Sequence, residues 1–209
     1  MLKRKLNIKI FATNVAISFF LASIFITILY FLGEEKINHY TTIINKLAVN
    51  ESAQREAIYD KESNRLIRYP AYGKKYANIK IPSIDLDLPL YYGDSLKILR
   101  YGIGHYAGSY FPGEGGTILL AGHNNVGIFN KLEDVKIGDT VEIIANYGTY
   151  TYKVIESKVV NENDLDAFAI ENKKEVLIMY TCWPINRSVV GRKTERLVVY
   201  AEKVGESYE

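Results

Sequence analysis

Hydrophobic and polar positions alternate between three regimes along the chain, and each regime predicts a different kind of element. From Ile10 to Leu32 there are 23 residues without a charge. At 1.5 Å per residue such a run reaches roughly 34 Å as a helix, enough to cross a hydrocarbon core. From Glu34 to Arg68 apolar residues recur partly at three- and four-residue spacings among many charges (Ile37, Tyr40, Ile43, Ile44, Leu47, then Ile58, Leu66 and Ile67). With no proline or glycine in that stretch, the spacing predicts a helical stalk. Tyr69-Pro70-Ala71-Tyr72-Gly73 punctuates its end. Beyond it, short apolar runs alternate with Gly, Pro, Asn and Asp. These predict strands at Asn78 to Ile81, Leu86 to Leu90, Gly116 to Ala121, Thr140 to Asn146, Gly148 to Val160, Glu175 to Thr181 and Arg196 to Lys203, with a helical segment at Ser95 to Arg100. About eight short strands in some 135 residues hide their edges best in a closed barrel. The fold class expected is therefore mainly β: a closed or nearly closed barrel of about eight strands with short helices, preceded by a transmembrane helix and a helical stalk.

Charge orients the first regime. Lys3, Arg4, Lys5 and Lys9 precede the apolar run and Glu34-Glu35 follow it, so the positive-inside bias leaves the N-terminus in the cytoplasm and everything after Leu32 outside. The apolar run is long and lacks a small-residue cleavage site, which favours an uncleaved anchor over a signal peptide. The expected divisions are 1–9, a cytoplasmic tail; 10–32, the anchor; 33–70, the extracellular stalk; and 71–209, the β-rich domain. A net charge of +2 and the absence of a basic stripe exclude a nucleic-acid partner.

Composition narrows the chemistry. One cysteine excludes an intrachain disulfide and CxxC-type zinc sites, and His39, His105 and His123 are too widely spaced to imply a metal site. No metal or cofactor is expected. Glu162, Asp164 and Asp166 alternate in a long charged connection and read as solvated acids rather than a cation site. The remaining candidate chemistry surrounds Cys182. Val176 to Tyr180 deliver Thr181-Cys182-Trp183-Pro184, a polar loop follows, and a second strand opens at Arg196. In an antiparallel pair the end of the first strand lies beside the start of the second, so Cys182 and Arg196 meet.

A cysteine nucleophile needs a base, and acyl transfer needs a donor for the oxyanion. His123, at a strand end after Ala121-Gly122, is the candidate base. His105, in a Gly-rich loop with no strand to hold it, is a rival with a structural or substrate-rim role. Arg196 is the candidate donor because the pleat fixes its direction; Arg187 and Arg192 lie in the loop.

These residues resemble the sortases, the cysteine transpeptidases that anchor proteins to the envelope of Gram-positive bacteria. The resemblance rests on GIGHYAG and FPGEGGTILLAGHNN, the IGDTVEI strand, the TCWP corner and the arginine opening the last strand, and covers about Asn78 to Val204. The family's T-L-x-T-C motif reads IMYTC here, at Ile178 to Cys182, and the corner and compact loop are most similar to class D. The resemblance implies Cys182 as nucleophile, His123 as general acid and base, Arg196 as the group that positions substrate and stabilises the oxyanion, and Thr181 as a substrate-binding residue. It also implies cleavage of an LPxTG-like C-terminal sorting signal between Thr and Gly through a thioacyl intermediate. The acceptor is an amine of a peptidoglycan precursor or a pilin, and the partners are surface proteins carrying that signal. His123 precedes Cys182, unlike the papain-like order. The reading from another class is a non-catalytic, membrane-tethered β-barrel binding module.

Overall fold

The structure, a computed structural model, describes residues 13–27, 57–185 and 192–208. Residues 13–27 form helix α1, whose side chains are exposed throughout, Phe19, Phe20 and Phe25 among them. No helix among the described residues is long and apolar enough to cross a membrane. The two ends of the expected 10–32 span lie outside the described residues, as does the stalk up to residue 56.

The part of the stalk that is described, from 57 onward, is not helical. It is a hairpin of β1 (Ile58–Asp60) and β2 (Arg65–Arg68). Short-range polar bonds close its turn: the Asp60 carboxylate accepts the Glu62 N–H at 3.2 Å and the Ser63 hydroxyl at 2.6 Å, and Asn64 takes a positive φ of 51°. Such side chain–backbone bonds compete directly with a helix. Burial then fixes the result. Ala57 and Leu66 join the main core, and Tyr59 stacks on Tyr147 and Tyr208 at 5.6 and 5.9 Å. Ile58, Leu66 and Ile67 thus belong not to a helical stripe but to two short strands, of which Leu66 faces in and Ile67 faces out.

The rest is a closed barrel. Its strands are β3 (Lys75–Ile81), β4 (Leu86–Tyr92), β5 (Ile103–His105), β6 (Thr117–Ala121), β7 (Thr140–Ala145), β8 (Gly148–Asn161), β9 (Val176–Trp183) and β10 (Glu195–Ser207), in the order β10-β8-β7-β3-β4-β5-β6-β9. Closure removes every free edge, the solution expected of short strands. Helix α2 (Leu96–Leu99) falls within the helical segment expected there. Two neighbours run parallel, β4 with β5 and β6 with β9; the others are antiparallel. Inside lie Ile79, Leu90, Ile118, Leu120, Leu177 and Met179. Outside, Leu119, Ile178 and Val198 form a second apolar cluster with Tyr180, Tyr200 and Phe168 against them.

β5 is the strand that the residue pattern missed. His105 therefore sits on a strand, completely buried, and not in a loop. Its Nδ1 lies 2.9 Å from the Tyr76 hydroxyl and its Nε2 2.9 Å from Ser109 Oγ. Burial pushes its pKa down to about 3. Ser109 gives its proton to the Tyr106 carbonyl and accepts the Leu119 N–H, so Nε2 carries the imidazole hydrogen and Tyr76 donates to Nδ1. A buried carboxylate ties the barrel bottom together. Glu175 accepts the N–H groups of Gly113 and Gly115, the Tyr152 hydroxyl at 2.7 Å and Lys203. Gly113 reaches it with a φ of 94°, where a Cβ would come within 2.8 Å of Tyr150.

Candidate active site

Register assembles the site. Leu119 pairs with Ile178, and Ala121 with Tyr180, in the parallel β6–β9 ladder. Ile178 pairs with Tyr200, Tyr180 with Val198, and Cys182 with Arg196 in the antiparallel β9–β10 ladder. Direct partners share a face, and alternate residues repeat it. Leu119, Ile178 and Val198 belong to the outer cluster and Tyr180 packs against it, so Cys182 and Arg196, each two residues from the paired Tyr180 and Val198, also face outward. The one-for-one register of β6 and β9, carried two residues past Ala121, brings His123 to the level of Cys182.

Hydrogen bonds hold that level beyond the strand end. The Gly122 N–H donates to the Tyr180 carbonyl at 3.1 Å, Thr181 Oγ1 donates to the Gly122 carbonyl at 2.8 Å, and Asn124 Nδ2 donates to the Cys182 carbonyl at 3.1 Å. His123 lies inside this lacing, and its own carbonyl accepts the Phe129 N–H at 3.0 Å. Gly122 is required by close approach, since a Cβ there would meet the Phe129 ring at 2.4 Å.

Cys182 and His123 are both half-exposed. Burial lowers the His123 pKa, and the Arg100 charge lowers it further. Both effects disfavour the imidazolium, which leaves a ring able to accept a proton near neutrality. Thr181, in contrast, is 1% exposed. Its hydroxyl is spent on the Gly122 carbonyl, so it braces the two strand ends from within.

Arg196 is held tightly. Its Nη1 donates to the carbonyls of Lys193 and Glu195 at 2.9 and 2.8 Å, and its Nη2 meets Glu162 Oε2 at 2.5 Å. Glu162 is 13% exposed at its side chain, so it is a paired, largely buried acid and not the solvated one its loop position implied. Among the described residues no group of acids, histidine or cysteine is arranged to hold a metal ion. Arg192 reaches the same Glu162 oxygen at 2.8 Å but is 77% exposed. Arg187 lies outside the described residues. A groove of about 370 Å3 opens here, walled by Asp94, Tyr106, Leu119, Phe168, Tyr180 and Arg196. A larger cavity of about 1020 Å3 lies between β2, the 107–111 loop and residues 170–173. It includes none of the candidate reactive residues; the smaller groove includes Arg196, while Cys182 and His123 are not among its lining residues.

A cysteine and an arginine paired across one ladder, with a histidine two residues past the end of the neighbouring strand, are a set of side chains that suits cysteine acyl transfer on a β-barrel. The sequence profile of the Sortase domain family matches residues 79–204. Sortase D of Bacillus subtilis (strain 168) is 32% identical over 145 residues, covering 69% of this chain and 72% of that protein. Sortase A of Streptococcus agalactiae is 26% identical over 188 residues, covering 81% of this chain and 74% of that protein. The fold matches that of a Clostridium perfringens Sortase D5 transpeptidase, with a TM-score of 0.59 at 23% identity over 81% of this chain and 99% of that one. This chain belongs to the sortase family, and it is similar to class D members by sequence and by fold. It is accordingly a cysteine transpeptidase of the kind that anchors proteins to the cell wall, and the non-catalytic alternative falls away.

Proposed function

We propose that Cys182, His123 and Arg196 carry the transpeptidation, and that the substrate is a protein with an LPxTG-like C-terminal sorting signal. The observation that supports this reading is the direct pairing of Cys182 with Arg196 in the β9–β10 ladder, with His123 two residues past the end of β6, the other neighbour of β9, and Arg196 lining a groove. The Cys182 sulfur attacks the threonyl carbonyl carbon, its thiol proton passing to His123, and the oxyanion forms beside the Arg196 guanidinium. The C–N bond to glycine breaks as His123 gives the leaving amine a proton, and a thioester remains on Cys182. An acceptor amine of a peptidoglycan precursor or pilin then attacks the thioester, loses its proton to His123, and releases the thiolate. The thiol and imidazole titrate as a pair and are described together. Thr181, buried and bonded to Gly122, acts in this reading as a positioning residue and not as a substrate contact.

Anchoring belongs to the same proposal. The charge-free run 10–32 with its cationic N-terminal flank supports a single pass with the catalytic domain outside, and the exposed phenylalanines of α1 suit an apolar surrounding. The test uses the full chain with a Leu-Pro-x-Thr-Gly peptide and a primary amine, followed by mass spectrometry. The expected product joins the threonyl carbonyl to the amine, and Cys182→Ala abolishes it while unchanged circular dichroism shows the fold retained. Undiminished turnover by Cys182→Ala would overturn the proposal.

A further inference from the structure

The guanidinium of Arg196 has five N–H donors, and the structure commits three. Two go to backbone carbonyls of its own strand entry, and one goes to Glu162. The Nε–H and the second Nη2–H remain for a substrate. The two carbonyls belong to Lys193 and Glu195, within three residues of Arg196 in sequence, whereas Glu162 directly follows the end of β8. Glu162 is itself fixed, because its N–H donates to the Thr194 carbonyl at 2.8 Å, continuing the β8–β10 ladder in which Asn161 pairs with Glu195. A carboxylate on a rigid strand end thus meets a long, rotamer-rich side chain with little solvent access, at 13% and 16% side-chain exposure. A charge-assisted bond in such surroundings orders an arginine far better than an exposed pair does.

We propose that Glu162 is a positioning residue for the transfer reaction: it holds the Arg196 guanidinium over the groove at the level of Cys182. The inference rests on the functional reading above. Glu162 touches no reacting atom; it acts through Arg196. Its partner Arg192 meets it from the solvent side and is not needed for the hold. Without the carboxylate, Arg196 keeps its charge and its backbone bonds but loses the contact that fixes its Nη2. Stabilisation of the developing oxyanion falls more than binding of the ground-state peptide.

The test is steady-state cleavage of a quenched Leu-Pro-x-Thr-Gly peptide by the full chain. Glu162→Gln keeps an acceptor oxygen and removes the charge. The expected result is a fall in kcat of about tenfold with KM within about twofold, partial recovery in Glu162→Asp, and thermal unfolding close to wild type. In an Arg196→Ala background the same Glu162→Gln change adds less than about twofold, because coupled residues are not additive. An unchanged kcat in Glu162→Gln overturns the inference alone, as does an equal loss when Arg196 is already alanine. Failure of the wild-type chain to cleave any such peptide overturns the functional reading and the inference together.

Discussion

Arg196 is the direct antiparallel partner of Cys182 across the β9–β10 ladder. That relationship separates it from Arg192, which is four residues earlier, exposed, and outside the ladder. Arg196→Ala is expected to lower turnover of a sorting-signal peptide by more than about tenfold, in line with loss of an oxyanion donor. Arg192→Ala is expected to change it by less than about twofold. Parallel kinetics on the two variants decide the matter, and the reverse ranking reassigns the cation.

Thr181→Val keeps the shape of the side chain and removes its bond to the Gly122 carbonyl. That carbonyl then lies buried and unpaired, at a cost of about 1–3 kcal/mol, seen as a lower urea midpoint. Because the bond braces the ends of β6 and β9 on either side of His123 and Cys182, kcat falls while KM stays near wild type. A variant whose only defect is a raised KM points instead to direct contact with the substrate.

His105 makes stability depend on pH. Its folded pKa, about 3, is below the 6.5 of an unfolded histidine, so between those values the unfolded chain binds the extra proton and the folded chain does not. Stability therefore declines as pH falls from about 6.5 to about 3 and levels off below. His105→Gln can still bond Tyr76 or Ser109 and has no such titration. Chemical denaturation between pH 7 and 4 should show a shallower decline for this variant than for wild type. Equal slopes remove His105 as the source.

The strands that were legible in the sequence are those long enough to alternate. β3, β4, β6, β7, β8, β9 and β10 all stand within a few residues of the apolar runs read from the sequence, and the meeting of Cys182 with Arg196 follows from antiparallel direction alone. β5 was not legible because three residues, one of them glycine, carry no period; only the ladder with β4 and β6 makes Ile103–His105 a strand. The β1–β2 hairpin was read as helix for a related reason. Its strands are short, and what holds them is distant burial of Leu66 and stacking of Tyr59. The acid on Arg196 lies 34 residues away in the chain, and nothing local distinguishes Glu162 from Asp164 or Asp166. Pairing across a barrel is a property of the closed sheet, and a loop acid declares its partner only there.

The bracketing of β9 has a mechanical consequence. In the proposed acyl-enzyme a whole surface protein hangs from one sulfur, and any drag on that cargo is delivered to β9. This strand is flanked by β10 along eight paired positions and by β6 along five. A pull along the strand is thus shared among many hydrogen bonds loaded in shear at once, not opened one by one from an edge. The catalytic strand can bear tension while it waits for an acceptor.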